Sequence, residues 1–356
     1  MEGMTTSKPV KESDRRAGSG NEAKIRVEII RCDTHAVWFS VLMDQHDPML
    51  LCDPPRLKGE ATHGWLKGSI HRYFYAVSSA PGDMTAEAVD GFEITRVWDE
   101  NREVAQAFAG LFGGRPEVCD RFEQVSDDVD LIFIGDCDLD GSDHVELARP
   151  GLEKGVATFV DKPFGGTLAN AKKMLDLANA HDAPIYSQSM CVAMPETARF
   201  RDRFSEIGQL TCGTVQSPGR EIAGQIHGTC LTHFLFGDEV REARAMNVPR
   251  QLMVHLDYGD RPDRPSAGVV YYGYGGPNSG FYLQAYGVKG KLDAVINDWT
   301  YPNGASKILK TIREMVRTRR TPLLEMQAML DAIRLMTAIR KAVDTEAPVR
   351  VSEFDG

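Results

Sequence analysis

Short β-branched runs alternate with helix-patterned segments through the first half of this 356-residue chain, and that alternation leaves few folds open. Ile25-Arg-Val-Glu-Ile-Ile30 reads as a strand, as does Glu93–Trp98. Val129-Asp-Leu-Ile-Phe-Ile134 is too apolar for a solvent-facing edge and predicts a strand buried on both faces. Val156–Val160 is a fourth strand and Pro184–Ser187 a short fifth. Residues 101–112, 143–153 and 167–180 carry helical patterning. In the last, Leu168, Ala171, Met174, Leu175 and Ala178 repeat at i, i+3 and i+4 behind a capping Thr167. This order predicts an α/β domain with a Rossmann-like, doubly wound parallel sheet, whose ligands bind at the carboxyl ends of the strands. The positions that matter are then 31–36, Asp99, 135–144 and 161–163.

Past residue 210 the pattern changes. Thr211–Ser217, Gln251–Tyr258, Ala267–Tyr274 and Gly280–Tyr286 read as strands with no helix between them, which predicts a C-terminal α+β domain with an open antiparallel sheet. A final helix over 322–343 has Met326, Leu330, Ile333, Met336 and Ile339 on one face. Tyr271, Tyr272, Phe281 and Tyr282 predict that one face of the sheet is buried against another subunit, in a dimer or tetramer. The domains are read as a disordered polar tail over 1–22, a dinucleotide-binding domain over 23–163, and a substrate and oligomerisation domain over 164–356. Segment 44–90, with Trp65, Tyr73, Phe74 and Tyr75, is long for a first crossover. It is either a structured insertion beside the pocket or a surface excursion.

A formal net charge of -10 argues against nucleic acid as a partner, because phosphate backbones demand a basic surface. Arg313, Arg317, Arg319 and Arg320 form a local basic cluster, read as a solvated helix end. The seven cysteines are odd in number and include no C-x-x-C, which fits a reducing compartment better than a disulfide framework or a zinc site. No apolar run approaches the roughly 20 residues that span a bilayer. Arg15–Arg16 is not followed by the apolar segment of an export signal, so the expectation is a cytoplasmic protein with no membrane partner.

Three further signals belong together. Asp161-Lys162-Pro163 follows a buried strand and precedes a capped helix; His227 stands ten residues before Gly237; and an extended run leads from Pro184 to Pro195. Together they resemble the glucose–fructose oxidoreductase/inositol dehydrogenase (Gfo/Idh/MocA) family over about residues 25–350 in element order. Asp161-Lys162-Pro163 stands where that family has Glu-Lys-Pro. The resemblance implies hydride transfer between NAD and a secondary alcohol of a sugar, glycoside or polyol. In it, Lys162 hydrogen-bonds the substrate hydroxyl and His227 acts as general base, for which an imidazole pKa near 6.5 is suited. His233 and Gln188 are further candidate substrate contacts. Two positions depart from the family. The aspartate usual four residues before the histidine is Ala223, and Met190-Cys-Val-Ala193 replaces polar and aromatic residues, so family substrates do not transfer.

The nucleotide loop departs further. A G-x-G-x-x-G fingerprint would fall on Arg31-Cys32-Asp33-Thr34-His35-Ala36, and Arg31 and Asp33 replace the first two glycines. Cys32, Asp33, Thr34 and His35 remain the candidate cofactor contacts of this turn, with Asp136, Asp161, Lys162 and Pro163 along the same edge. Asp99, ending the second strand, is placed to accept from both ribose hydroxyls and to repel a 2′-phosphate, which favours NAD over NADP. Asp136-Cys-Asp-Leu-Asp140-Gly141 imitates the start of a calcium loop. The twelfth position is Leu147, with Glu146 one place early, and the segment follows a strand, so no metal is expected. Tyr272–Asn278 is read as a hairpin connection. The lost glycines and missing aspartate keep a second function open: a non-catalytic scaffold or binding protein that retains the family fold.

Overall fold

The computed structural model describes residues 23–58, 63–68, 70–75, 84, 86–136, 140–218, 222–248, 251–274, 280–297 and 300–354. The tail over 1–22, and the centres of the Asp136–Gly141 and Tyr272–Asn278 segments, lie outside these residues. The first sheet is built from β1 (Ile25–Ile30), β2 (Phe92–Trp98), β3 (Glu117–Val118), β4 (Leu131–Ile134), β5 (Ala157–Val160) and β6 (Ile185–Tyr186). All pairs are parallel, in the order β3-β2-β1-β4-β5-β6, the doubly wound arrangement expected from the alternation. β4 and β5 are buried at every residue, because helices cover both faces.

Those helices are α1 (Thr34–Met43), α2 (Pro48–Cys52), α3 (His71–Tyr75), α4 (Arg102–Leu111), α5 (His144–Glu153) and α6 (Leu168–Ala180). Thr167 caps α6, its hydroxyl accepting from the Asn170 amide. α1 lies close on the sheet: a Cβ added at Gly135 would stand 2.5 Å from the Cβ of Ala36, so both positions must stay small. Segment 44–90 is a structured insertion in its described part. α2, the 3-10 turn Gly64–Lys67 and α3 bury Trp65, Tyr73, Phe74 and Tyr75, and Trp38 of α1 packs on Tyr73 and Phe74.

The run from Pro184 to Pro195 is not extended throughout. β6 is followed by α7 (Met190–Ala193), α8 (Pro195–Asp202) and α9 (Phe204–Ile207). The second sheet contains β7 (Leu210–Pro218), β8 (Glu242–Val248), β9 (Gln251–Asp257), β10 (Val269–Tyr274), β11 (Phe281–Gly287), β12 (Gly290–Ile296) and β13 (Val349–Arg350), ordered β12-β11-β7-β10-β9-β8-β13. It is antiparallel except for the parallel pair β7–β10. β10 and β11 do not form a hairpin, because β7 lies between them and pairs with both.

The sequence reading also missed α10 (Ile222–Phe236), which follows β7. This helix is buried nearly all round, between the sheet and the C-terminal helices, so it has no polar face and no period to detect. α11 (Tyr301–Thr318) and α12 (Leu323–Thr345) complete the chain, and α11 packs residues such as Ile308 and Ile312 into the core of the first sheet. Arg317, Arg319 and Arg320 at its end are exposed, with Arg319 donating to the Gly155 and Asp182 carbonyls, while Arg313, inside the helix, donates to that of Asp90. Strand alternation corrects the oligomer-face expectation: Tyr271 and Phe281 point inward and are buried, whereas Tyr282 is 45% exposed.

Glu28 of β1 is fully buried opposite Arg96 of β2, Nη1 to Oε1 3.2 Å. Burial pushes its carboxyl up to about 8, against the pull of Arg96. The folded pKa lies above the unfolded value, so the stability this group contributes is full below about pH 4.5 and is lost as pH rises toward 8. Glu28→Gln is therefore expected to raise stability relative to the parent above pH 8 and to lose that advantage below pH 4.5. Urea unfolding at both ends of the range tests this; an advantage unchanged with pH would refute it.

Candidate active site

The carboxyl end of β5 leads into Asp161, Lys162 and Pro163, with a cis Lys162–Pro163 peptide bond. Asp161 is fully buried and its Oδ2 meets Nδ1 of His35 in the first turn of α1. The His35 ring lies 6.5 Å from that of His227, which α10 carries in from the second domain. His227 Nδ1 shares a 2.7 Å hydrogen bond with Ser189 Oγ, and its ring meets the edge of Phe281. Lys162 Nζ donates to the backbone carbonyl of Ala223, one helical turn before His227, at 3.4 Å. Lys162 and His227 are thus brought to one buried polar cluster, only 4% and 8% exposed. Burial, reinforced by Lys162 and His35, pushes the His227 imidazole well below its usual value and keeps it neutral. Ser189 was not foreseen; it hides in the loop between β6 and α7, where sequence offers no signal beyond a small polar residue.

The turn after β1 keeps the shape of a nucleotide loop with different chemistry. Arg31 adopts φ 65°, a left-handed conformation that favours glycine. Its side chain is 9% exposed and enters a set of carboxylates: Glu100 after β2 (2.7 Å), Asp136 after β4, and Asp143 at the start of α5. His144 Nε2 adds a contact to Asp136 at 3.4 Å. Burial would raise the Asp136 carboxyl, but His144 and the Arg31 guanidinium outweigh it and hold it down at about 2. Asp136, Asp143 and His144 are close enough to suit a cation, and the cation already among them is Arg31.

The β1–β2 side of the edge is engaged by the chain itself. Asp33 caps α1, its carboxylate accepting from the His35 amide. Asp99 accepts from the amides of Cys32 (3.0 Å) and Asn101 (2.9 Å), and His63 of the insertion approaches it at 3.3 Å. Trp65 Nε1 donates to the Cys32 carbonyl at 2.8 Å, and a Cβ on Gly64 would stand 3.1 Å from Thr34 Oγ1. His63-Gly64-Trp65 therefore lies over the turn where a diphosphate would approach α1.

Gln188 and His233 come together elsewhere. They line a cavity of about 420 Å³ between α10 and α12, which neither Lys162 nor His227 lines. Removing the internal cation of the β1 turn would strand the buried carboxylate of Asp136: Arg31→Met is expected to cost about 3–5 kcal/mol in equilibrium unfolding. A loss within error would mean that the cluster is not what holds the turn.

Residues 76–188 match the model of the GFO_IDH_MocA oxidoreductase family, an NAD-binding Rossmann fold. Solved structures share the fold across nearly the whole chain. The myo-inositol 2-dehydrogenase of Lactobacillus plantarum aligns with a TM-score of 0.68 at 11% identity, over 92% of this chain and 99% of that one. The scyllo-inositol dehydrogenase of Lactobacillus casei, solved with bound NAD(H) and scyllo-inositol, aligns at 0.65 and 12% identity, over 92% and 99%. The myo-inositol dehydrogenase of Corynebacterium glutamicum aligns at 0.63 and 16%, over 92% and 98%. A search of curated proteins finds no match. No helix among the described residues is long and apolar enough to cross a membrane. The expected resemblance to the Gfo/Idh/MocA family is thereby shown over residues 76–188, which include Asp161-Lys162-Pro163, and the fold of its dehydrogenases extends over nearly the whole chain.

Proposed function

We propose that this protein is an NAD(H)-dependent oxidoreductase that moves a hydride between the cofactor and a secondary alcohol of a sugar, glycoside or polyol. The observation that carries the reading is the convergence of Lys162 and His227 at the carboxyl edge of β5. The NAD(H) and scyllo-inositol bound by the Lactobacillus casei relative support the cofactor and the substrate class. Neutral His227 accepts the hydroxyl proton, with Ser189 fixing the ring through Nδ1 so that Nε2 is left for the substrate. Lys162 orients the same hydroxyl and stabilises the negative charge that grows on its oxygen as the proton leaves. Bound NAD would supply the hydride acceptor, held by Asp161, Lys162 and Pro163 at the redox edge.

The fit to the cofactor is good at that edge and poor at the other. Asp33 already occupies the first-turn amide of α1, and His63 and the Cys32 amide already engage Asp99. Cofactor entry requires His63 and the Asp33 carboxylate to move aside. This observation favours the second reading, a non-catalytic binding or scaffold protein with no macromolecular anion or membrane as its partner. A homo-oligomer, dimer or tetramer, is part of either proposal. Tyr282 and Val295, 45% and 50% exposed on one face of the second sheet, support it. So is a reducing, cytoplasmic setting, supported by free thiols at Cys32, Cys119, Cys191 and Cys230.

NADH fluorescence titration separates the readings. Saturable binding that tightens in His63→Ala is expected; no binding at millimolar NADH, in the parent and in His63→Ala alike, would favour the scaffold. With a substrate found by screening sugars and polyols for NADH formation, Lys162→Ala should lower turnover severely with little change in NADH affinity. His227→Ala should cost about 10²–10⁴-fold. Because the His227 pKa is depressed, the acid limb of the parent's rate profile should lie below pH 6.5 and vanish in His227→Ala. An unaltered acid limb would place the base elsewhere. For assembly, light scattering at micromolar concentration should give at least a dimer, and Tyr282→Glu should dissociate it; a monomeric parent would refute the oligomer.

A further inference from the structure

The Lys162–His227 cluster contains a second imidazole, that of His35. The two rings are anchored alike, each through Nδ1: His35 to Asp161 Oδ2, His227 to Ser189 Oγ. Neither Nε2 has a hydrogen-bond partner among the described residues, and neither is sealed from solvent as the ring nitrogens of His233 are. The ring centres stand 6.5 Å apart, too far for a direct hydrogen bond and near enough for one oxygen atom to meet both.

The anchors differ in chemistry. Asp161 is fully buried, His35 is its one side-chain hydrogen-bond partner among the described residues, and its Oδ1 has none. A buried carboxylate is stable when a neighbouring cation matches it, so this pair favours a proton on His35. An ionised carboxylate only accepts, so Nδ1 of His35 carries the hydrogen and Nε2 of the neutral ring is the acceptor. Ser189 brings no charge to match an imidazolium at His227. Nor does α10, where Ala223 stands one turn before His227 and no acidic residue follows. Burial, with Lys162 and His35 beside it, keeps His227 neutral. The other charged group at His35 is Asp33, which caps α1 and accepts from the His35 amide. A base that cannot keep the proton it takes needs a neighbour that can.

We propose that His35, held by Asp161, is a second acid–base residue of this site, on which the proton taken up by His227 comes to rest. The assignment rests on the reading of Lys162 and His227 as the place of reaction. Once the carbonyl product has left, the Nε2–H bond of His227 breaks and its proton passes to a water oxygen between the rings. That oxygen gives up another proton, and an N–H bond forms at Nε2 of His35. His227 returns neutral, and the His35 side chain, 13% exposed, releases the proton to solvent. In the reducing direction the same steps run backwards.

The test uses the full chain without cofactor and follows the histidine ring nitrogens by ¹⁵N NMR between about pH 8 and 5. His35→Asn keeps a donor for Asp161 and removes Nε2. The parent is expected to take its first proton on His35 while His227 stays neutral. In His35→Asn, with the like charge gone, His227 should bind a proton about tenfold more tightly. Asp161→Asn should abolish the preference for His35. His227 protonated first in the parent, or its titration unmoved in His35→Asn, overturns the proposal. On a substrate found by screening, His35→Asn should lower turnover about tenfold or more with little change in KM, and added imidazole should restore part of it, a rescue that lost packing would not show. Unchanged turnover in His35→Asn also overturns it. A parent that binds no NADH would sink the oxidoreductase reading alone; the order of protonation would still decide where the proton rests.

Discussion

Arg31 carries its guanidinium under the carboxyl ends of the first sheet, into carboxylates that follow β2 and β4 and that open α5. A buried cation beside a buried anion, here Arg31 beside Asp136, is stable only when the charges match and the geometry is held. Matching them ties together the ends of three elements at the edge where a doubly wound sheet binds ligands. The left-handed φ of Arg31 costs about 1–3 kcal/mol, which the ion cluster has to offset. A glycine at this position would free the backbone and leave Asp136 without its cation. The turn after β1 therefore keeps the path of a nucleotide loop while its charge requirements are met internally.

The same economy runs along the rest of the edge. Asp33 caps α1, Asp99 accepts backbone amides, and His63 and Trp65 from the insertion close over Cys32 and Thr34. The end of the edge beside β5 is built differently. There, Asp161, His35, His227 and Ser189 form a chain of contacts that crosses from the first domain to the second. α10 makes that crossing possible: its first turns present Ala223 and His227 to Lys162, and its last turns present His233 to a cavity.

The parallel sheet was legible in the sequence because burial on both faces demands near-continuous apolar strands, and because amphipathic helices repeat at 3.6 residues. Asp161-Lys162-Pro163 and His227 were legible because their spacing follows a family pattern. α10 was not: a helix surrounded by protein has no polar stripe, and its Gly, Thr and Cys residues weaken helical propensity. β8 and β12 escaped for the opposite reason, since charged residues on an exposed face blur the alternation. Tyr271 and Phe281 were assigned to the wrong face because aromatic content does not give register, and a strand reverses its side chains at every residue.

The sequence by itself determined the doubly wound sheet and the mostly antiparallel second domain, since local periodicity specifies these, while Lys162 and His227 stood out only through the family resemblance. Only tertiary structure decided the fate of the charges. Arg31 and Asp136 are 105 positions apart, His35 and Asp161 126, and Ser189 and His227 38. No pattern in the chain announces such pairings, because a buried charge is matched by whatever the fold brings within reach, and reach is a property of three dimensions.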